Sequence, residues 1–332
     1  IALGFRRLAI QDTSEKGNQP MISASGQYVI VFNGEIYNHF KLRKQVENIQ
    51  SNYPWKSNSD TETLLACFDL WGIDDTIRKC SGMFSFAVWC NKTKLLTLGR
   101  DRLGEKPLYY GWQGNDENAT FFFGSELKAF HQHPAFKKQI NRNAISSFLR
   151  HSYIPAPHSI YKDIFKLLPA HFARISFKNK TPLLTRYWSP KENSKKIQES
   201  EIYSKDCEAI DCLERMLNGA VKEQMISDVP IGAFLSGGID SSTIVSMMQL
   251  NSTQRIRTFT VGFKEKDFNE ADHARAVAEH LKTDHSDLYI DSQDLINVIP
   301  SLANIYDEPF GDSSQIPTYL ISKFAKQDVT VA

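Results

Sequence analysis

At 332 residues the chain has room for about two domains of ordinary size. Its 41% hydrophobic, 23% charged and 11% aromatic residues exclude a disordered, collagen-like or disulfide-scaffold protein. With 39 Lys and Arg against 38 Asp and Glu, the formal charge is +1, so no global field draws nucleic acid or an anionic membrane, and neither is expected as a partner.

The chain opens at Ile1 without an initiator methionine and closes on Val329-Thr330-Val331-Ala332, which reads as a strand. The expectation is a fragment lacking both ends. Its longest apolar runs, such as residues 83–90, are far shorter than the roughly 20 residues that span a bilayer. Five cysteines (Cys67, Cys80, Cys90, Cys207, Cys212) show no CxxC spacing and read as reduced, mostly buried thiols. A soluble, cytoplasmic protein follows as the expectation.

Through Trp188 the chain is rich in short β-like runs: Tyr28–Phe32, Phe84–Trp89, Lys94–Gly99, Leu108–Trp112 and Thr120–Gly124. Two segments have helical spacing, Phe40–Val46 and Asp60–Leu70, the latter with Leu64, Leu65 and Phe68 on one face. Many strands with a few helices predict an α+β sandwich for residues 1–188. Residues 189–203 are polar and rich in Lys and Glu, and read as a linker. Over 204–332 the rhythm becomes β-α-β. A helix from about Lys205 to Met225 precedes strands Ile231–Leu235, Thr258–Phe263 and Asp287–Ile290. Helices Ser241–Leu250 and Glu270–His280 lie between them, then two more helices and the closing VTVA strand. This alternation predicts an α/β doubly wound parallel sheet with ligands at the carboxyl ends of its strands.

Ser236-Gly237-Gly238-Ile239-Asp240-Ser241-Ser242 lies between an apolar strand and a helix. Adjacent glycines let backbone N–H groups turn toward a ligand, and the serine hydroxyls and helix N-terminus add donors for an anion. Asp240 repels a bare phosphate and fits where a divalent cation bridges it to the phosphates. A serine-rich cap after a tight turn is the plainer alternative. There is no Gly-Lys pair for a Walker loop and no GxGxxG.

Asn33-Gly34-Glu35 follows an apolar strand and reads either as an Asn-Gly hairpin turn or as chemistry. A side-chain amide beside a backbone N–H forms a donor pair for the oxyanion of amide hydrolysis. The Arg6-Arg7 pair offers a guanidinium fork for a carboxylate. Asp60 suits an α-ammonium group, or is simply a helix N-cap.

SGGIDSS resembles the pyrophosphate loop of the ATP pyrophosphatases, and Asp228–Leu235 with Thr260-Val261-Gly262-Phe263 resembles the glutamine-hydrolysing asparagine synthetases within them. Gly4–Ile10, Asn33–Asn38, Ser59–Glu62, Gly82–Ala87, Gly99–Tyr110 and Ser125–Ala129 resemble the class II glutamine amidotransferase half of the same family. The resemblance implies an Ntn-hydrolase-like αββα domain followed by a PP-loop domain of the adenine nucleotide α-hydrolase-like kind. Arg7, Asn33, Gly34, Glu35 and Asp60 would bind glutamine, with Asn33 and Gly34 as the catalytic oxyanion hole. Leu235, Ser236, Gly237, Gly238, Asp240, Ser241, Ser242, Val261 and Gly262 would bind ATP, and Asp240 would meet Mg2+.

The implied reaction is amidation of aspartate to asparagine through β-aspartyl-AMP, with ammonia passed from a glutaminase site in what is implied to be a homodimer. Another carboxylate acceptor, on a sugar or secondary metabolite, is an alternative within the family. A glutamine- or nucleotide-binding relative that hydrolyses nothing is another. The family's nucleophile is a cysteine at the mature N-terminus, and none of the five cysteines holds that place. The family's second glycine-rich acidic loop is missing as well, so this chain by itself is expected to be inactive. His285-Ser286 stands where the family usually has a histidine pair, and Asp307-Glu308-Pro309-Phe310-Gly311-Asp312 resembles the family too but reads equally as a turn of solvated acids.

Overall fold

Alternation along the strands builds the first of two units in the computed structural model, which describes residues 1–114, 119–192, 194, 206–264 and 270–332. The strands of this unit are β1 (Met21–Ile22), β2 (Tyr28–Ile36), β3 (Gly82–Cys90), β4 (Leu95–Arg100), β5 (Tyr109–Gln113), β6 (Thr120–Gly124), β7 (Ile164–Lys166), β8 (His171–Ser176) and β9 (Asn179–Arg186). Its helices are α1 (His39–Ile49), α2 (Asp60–Lys79), α3 (Leu127–Phe130) and α4 (Arg142–His151). An antiparallel sheet in the order β1-β2-β3-β4-β8-β9 faces a smaller one in the order β6-β5-β7.

Successive residues of one strand serve opposite cores. Ile30, Phe32, Phe84, Phe86 and Val88 pack with Leu42, Val46, Leu64, Leu65 and Phe68 of α1 and α2. Val31 and Ala87, one position out of step, join Leu96, Leu98, Ala173 and Ile175 against Leu108 and Tyr110 of the smaller sheet. Beyond that sheet, Tyr109, Phe122 and Ile164 pack with Leu127 and Phe130 of α3. The layers therefore run helix, sheet, sheet, helix. Residues Tyr306–Gly311 also belong to this unit, although the chain around them does not.

Several boundaries differ from those the sequence predicts. β2 runs on to Ile36 instead of stopping at Phe32, so Asn33 and Gly34 pair with Ser85 and Phe84 of β3 and form no hairpin turn. Gly34 has φ +147°, and a Cβ there would strike the carbonyl oxygen of Met83. A helix predicted to end at Leu70 continues to Lys79 across a break at Gly72, with Thr76 Oγ1 donating to the Gly72 carbonyl at 2.7 Å. β9 escapes a pattern search because it is an edge strand, half exposed, with Pro182 inside it. The predicted linker lies largely outside the described residues, as does Lys205.

In the second unit, α5 (Asp206–Gln224) leads into β10 (Gly232–Phe234), α6 (Ile239–Leu250), β11 (Arg257–Phe263), α7 (Ala271–Leu281) and β12 (Asp284–Ile290). Then come α8 (Ser292–Val298), α9 (Leu302–Ile305) and α10 (Gln315–Ala325). The three strands are parallel, in the order β10-β11-β12. Ala233 and Leu235 pack with Val245, Met248, Ala274 and Ala278 of α6 and α7, while Phe259 packs with Ala325 and Phe324 of α10. Phe259 and its register partner Phe234 point away from the Ala233 side, so helices cover both faces of the sheet. The closing VTVA segment forms a single parallel bridge, Ile231 to Val331, where a strand was expected.

Candidate active site

A cavity of about 530 Å³ in the first unit is lined by Arg7, Gln11, Asn33, Gly34, Glu35, Asp60, Lys106 and Ser125, among others. The five residues singled out for glutamine are thus brought together, from the N-terminal segment, β2 and the start of α2. Register explains part of this: because Asn33–Glu35 stay in the ladder with β3, they hold fixed positions along the strand. The Asn33 amide Nδ2 donates to Ser125 Oγ at 3.1 Å, which sets the plane of the amide.

Asp60 is buried, and the helix cap is its neighbour: Ser59 Oγ accepts the Glu62 N–H at 3.1 Å. Asp60 Oδ2 instead accepts the Ile36 N–H at 2.9 Å, joining α2 to the end of β2. Glu35 Oε2 accepts from Gln11 Nε2. Burial and the neighbouring Asp60 charge push the Glu35 carboxyl up to about 8. Asp60 is raised as well, chiefly by burial, against the pull of its hydrogen-bond donors and Arg7. At neutral pH this pair carries less than two negative charges.

Arg7 is partly committed. Its Nη1 donates to the Ser14 carbonyl at 3.0 Å and its Nη2 to the Gln11 carbonyl at 2.9 Å, with a further bond to Asp12. The guanidinium thereby folds residues 11–17 around itself, and a Cβ on Gly17 would collide with it. Nε and one Nη1 proton remain for a ligand.

The wall carrying Lys106 and Pro107 is held by Asp101, which is fully buried. One Asp101 oxygen accepts the N–H groups of Leu103, Gly104 and Glu105 at 3.1, 2.6 and 2.9 Å; the other accepts Lys106 at 3.0 Å and Phe84 at 3.2 Å. Arg100 ties the same loop from the other side, donating to the carbonyls of Gly104, Lys106 and Leu167.

In the second unit, Ser236–Ser242 leaves the carboxyl end of β10 and enters α6. The Leu235 N–H closes the ladder on the Phe259 carbonyl at 2.9 Å; two residues on, Gly237 takes φ +78°. A Cβ at Gly237 would lie 2.7 Å from the Ala274 nitrogen, so α7 closes over a glycine that no other residue replaces without movement. Ser236 Oγ and Ser241 Oγ are 3.0 Å apart, and Ser242 Oγ is buried with no hydrogen-bond partner among the described residues. Register places Val261 and Gly262 of β11 alongside this loop, at the same edge of the sheet. Asp240 is exposed in the first turn of α6.

Among the described residues no group of three or more His, Cys, Asp and Glu could hold a metal ion. None of the five cysteines forms a disulfide among the described residues. Burial raises the thiols of Cys67 and Cys80, so neither is a nucleophile in waiting. None of the described helices is long and apolar enough to cross a membrane.

Sequence reading missed Gln11, Lys106 and Ser125 as residues of the cavity. Ser125 lies in the family-like segment Ser125–Ala129 and Lys106 in Gly99–Tyr110, but nothing in either residue's type signals its place in the cavity. Gln19 is less legible still: its side-chain amide bonds both the N–H and the carbonyl of Phe32, at 2.6 and 3.2 Å, doing for β2 what a strand would. Asp307 and Glu308 are not solvated acids. Their side chains are 11% and 10% exposed and fully engaged within the first unit, whereas Asp312 is exposed.

Residues 1–188 match the family described as "Glutamine amidotransferase domain", and residues 212–332 the one described as "Asparagine synthase". A Methanocaldococcus jannaschii relative is 36% identical, over all of this chain and 64% of its own length. "Asparagine synthetase [glutamine-hydrolyzing] 1" of Bacillus subtilis is 33% identical, over all of this chain and 50% of its own. The chain therefore spans about half to two thirds of the length of such relatives. A solved structure of glutamine phosphoribosylpyrophosphate amidotransferase from B. subtilis aligns over 91% of this chain and 78% of its own, at 16% identity and a TM-score of 0.40.

Proposed function

The chain belongs to the glutamine amidotransferase family through residues 1–188, and from that premise we propose that its protein is a glutamine-dependent asparagine synthetase. The observation that carries the reading is the cavity in which Asn33 and Gly34, held in strand β2 and not in a turn, stand beside the Glu35 and Asp60 carboxylates and Arg7. An amino acid with a terminal amide matches that lining. The remaining Arg7 donors take its α-carboxylate and the carboxylate pair takes its α-ammonium. The Asn33 amide and the Gly34 N–H meet the charge that develops on the amide oxygen.

In the second unit, the loop Ser236–Ser242 and the N-terminus of α6 hold the β- and γ-phosphates of ATP, in a sheet of the PP-loop kind, the Ser236–Ser241 hydroxyl contact and the Gly238 N–H bond to Ser236 Oγ giving way to the ligand. Leu235, Val261 and Gly262 frame the nucleoside, and Asp240 meets the Mg2+ that accompanies the phosphates and offsets their charge. The first unit is correspondingly read as an Ntn-hydrolase-like αββα domain. Domain limits of 1–188 and 204–332, with 189–203 between, form part of the reading. So do the homodimer and the cytoplasmic location, which rest on the family resemblance.

The overall change converts aspartate, glutamine, ATP and water into asparagine, glutamate, AMP and pyrophosphate by way of β-aspartyl-AMP. The test supplies amide-15N-glutamine, aspartate and Mg-ATP to the protein expressed from its complete reading frame. Labelled asparagine, AMP and pyrophosphate in equal amounts support the reading. Pyrophosphate release with a uronic acid but not with aspartate overturns the acceptor, and an absence of glutamine hydrolysis overturns the donor.

A further inference from the structure

Residues 306–311 lie within the stretch that matches asparagine synthase, yet they pack as part of the first unit. Their two acids are anchored by different groups. Asp307 Oδ2 accepts the Leu127 N–H at 2.6 Å, Oδ1 accepts the Lys128 N–H at 3.3 Å, and the Lys128 ammonium lies 3.4 Å from it. Glu308 accepts the Ile160 N–H at 2.7 Å and pairs with the Lys166 ammonium at 2.5 Å. The Gly311 N–H closes the segment on the Ser152 carbonyl at 2.6 Å.

The residue just before this clamp is a wall of the cavity. Ser125 and Glu126 line it, Leu127 is fully buried, and Ser125 Oγ receives the Asn33 amide. One Asn33 amide proton is thereby spent on Ser125, which leaves the other directed by that bond. A short chain of contacts thus runs from Asp307 through the Leu127 N–H and Ser125 to the Asn33 amide. A free turn at Ser125 would let the amide rotate, and an oxyanion donor is effective only when fixed before the charge appears.

We infer that Asp307 is a positioning residue for glutamine hydrolysis: it fixes the Ser125–Leu127 turn, and through Ser125 the attitude of the Asn33 amide. The inference rests on the reading of this cavity as a glutaminase site.

The experiment uses the protein expressed from its complete reading frame and compares it with Asp307→Ala, Asp307→Asn, Ser125→Ala and the Asp307→Ala/Ser125→Ala double variant. Glutamate release gives kcat and KM for glutamine, and asparagine formation from ammonia reports on the rest of the enzyme. Asp307→Ala is expected to lower kcat about tenfold with KM within about twofold, as loss of alignment in a transition-state donor requires. Asp307→Asn, which still presents an oxygen to the Leu127 N–H, should restore most of kcat. Ser125→Ala should reproduce the loss, and the double variant should add little to either, since both act on one donor. Ammonia-dependent synthesis should stay within about twofold in each variant.

An unchanged kcat in a folded Asp307→Ala protein overturns the inference, and so does a joint fall of kcat and ammonia-dependent synthesis. If that variant does not fold, Ser125→Ala decides by the same readout. A parent protein that hydrolyses no glutamine overturns the proposed function together with this inference; an active parent with unaffected variants overturns this inference alone.

Discussion

Two carboxyl groups in one cavity make ligand binding answer to pH. Glu35 is pushed up to about 8 by burial and by the Asp60 charge, and Asp60 is itself raised by burial. Without a ligand the pair therefore retains a proton at neutral pH. An α-ammonium favours the ionised pair, so glutamine should displace that proton and bind more tightly as pH rises from 6 to 8, by up to about tenfold per unit. Calorimetry in buffers of different ionisation enthalpy should detect the released proton, and Glu35→Gln should abolish most of it. Proton uptake, or no exchange, would contradict this placement of the α-ammonium. Stability has the opposite sign. Both folded-state values lie above those of the unfolded chain, so the pair's contribution is complete in acid and is lost as pH rises through the folded values. Glu35→Gln should consequently stabilise the first unit at pH 9 relative to the parent, and change it little at pH 5.

At the scale of elements, single side chains decide whether a loop can be built. Asp101 satisfies five N–H groups with one buried carboxylate. Asp101→Ala takes the side-chain acceptor from all five, the buried Phe84 N–H among them, at a cost of about 3 kcal/mol. The expected result is a melting temperature lower by roughly 6–12 °C for a unit of this size, measured by calorimetry. In the second unit, Gly237→Ala sets a Cβ against the start of α7 at positive φ. It should weaken ATP binding at least about tenfold while glutamine binding is untouched, because the loop must move before its amides can converge. Such elements were unequally legible in the sequence. Runs of aromatic and β-branched residues revealed β2 and β3, and apolar spacing at threes and fours revealed α5. Asn33-Gly34 misled as a turn signal because pairing with β3 overrides local preference where a glycine permits close approach. β9 was hidden by its exposure, and Gln19 and Ser125 by the ordinariness of their types. The residues that line the cavity were found mainly through motifs; the hydrogen bonds that orient them depend on tertiary contacts that no local pattern encodes.

For the molecule as a whole, the chain is divided differently from the fold. Asp307 and Glu308 follow α9 of the second unit in sequence, yet their carboxylates serve N–H groups and lysines of the first. Ligands should separate the two units thermally: glutamine raises only the first transition and Mg-ATP only the second, each by mass action on its own folded state. At a concentration of about 100 times Kd, either ligand adds about 2.7 kcal/mol to its unit. A substitution at 307 then tests which unit owns the segment. If residues 306–311 are structurally part of the first unit, Asp307→Ala orphans the buried Leu127 N–H, at about 1–3 kcal/mol. The transition that glutamine shifts should fall by several degrees, while the one that Mg-ATP shifts stays in place. A fall confined to the Mg-ATP transition would return the segment to the second unit. Its acids would then contribute nothing measurable to the wall around Ser125, and sequence order would be the better guide to which parts of this chain unfold together.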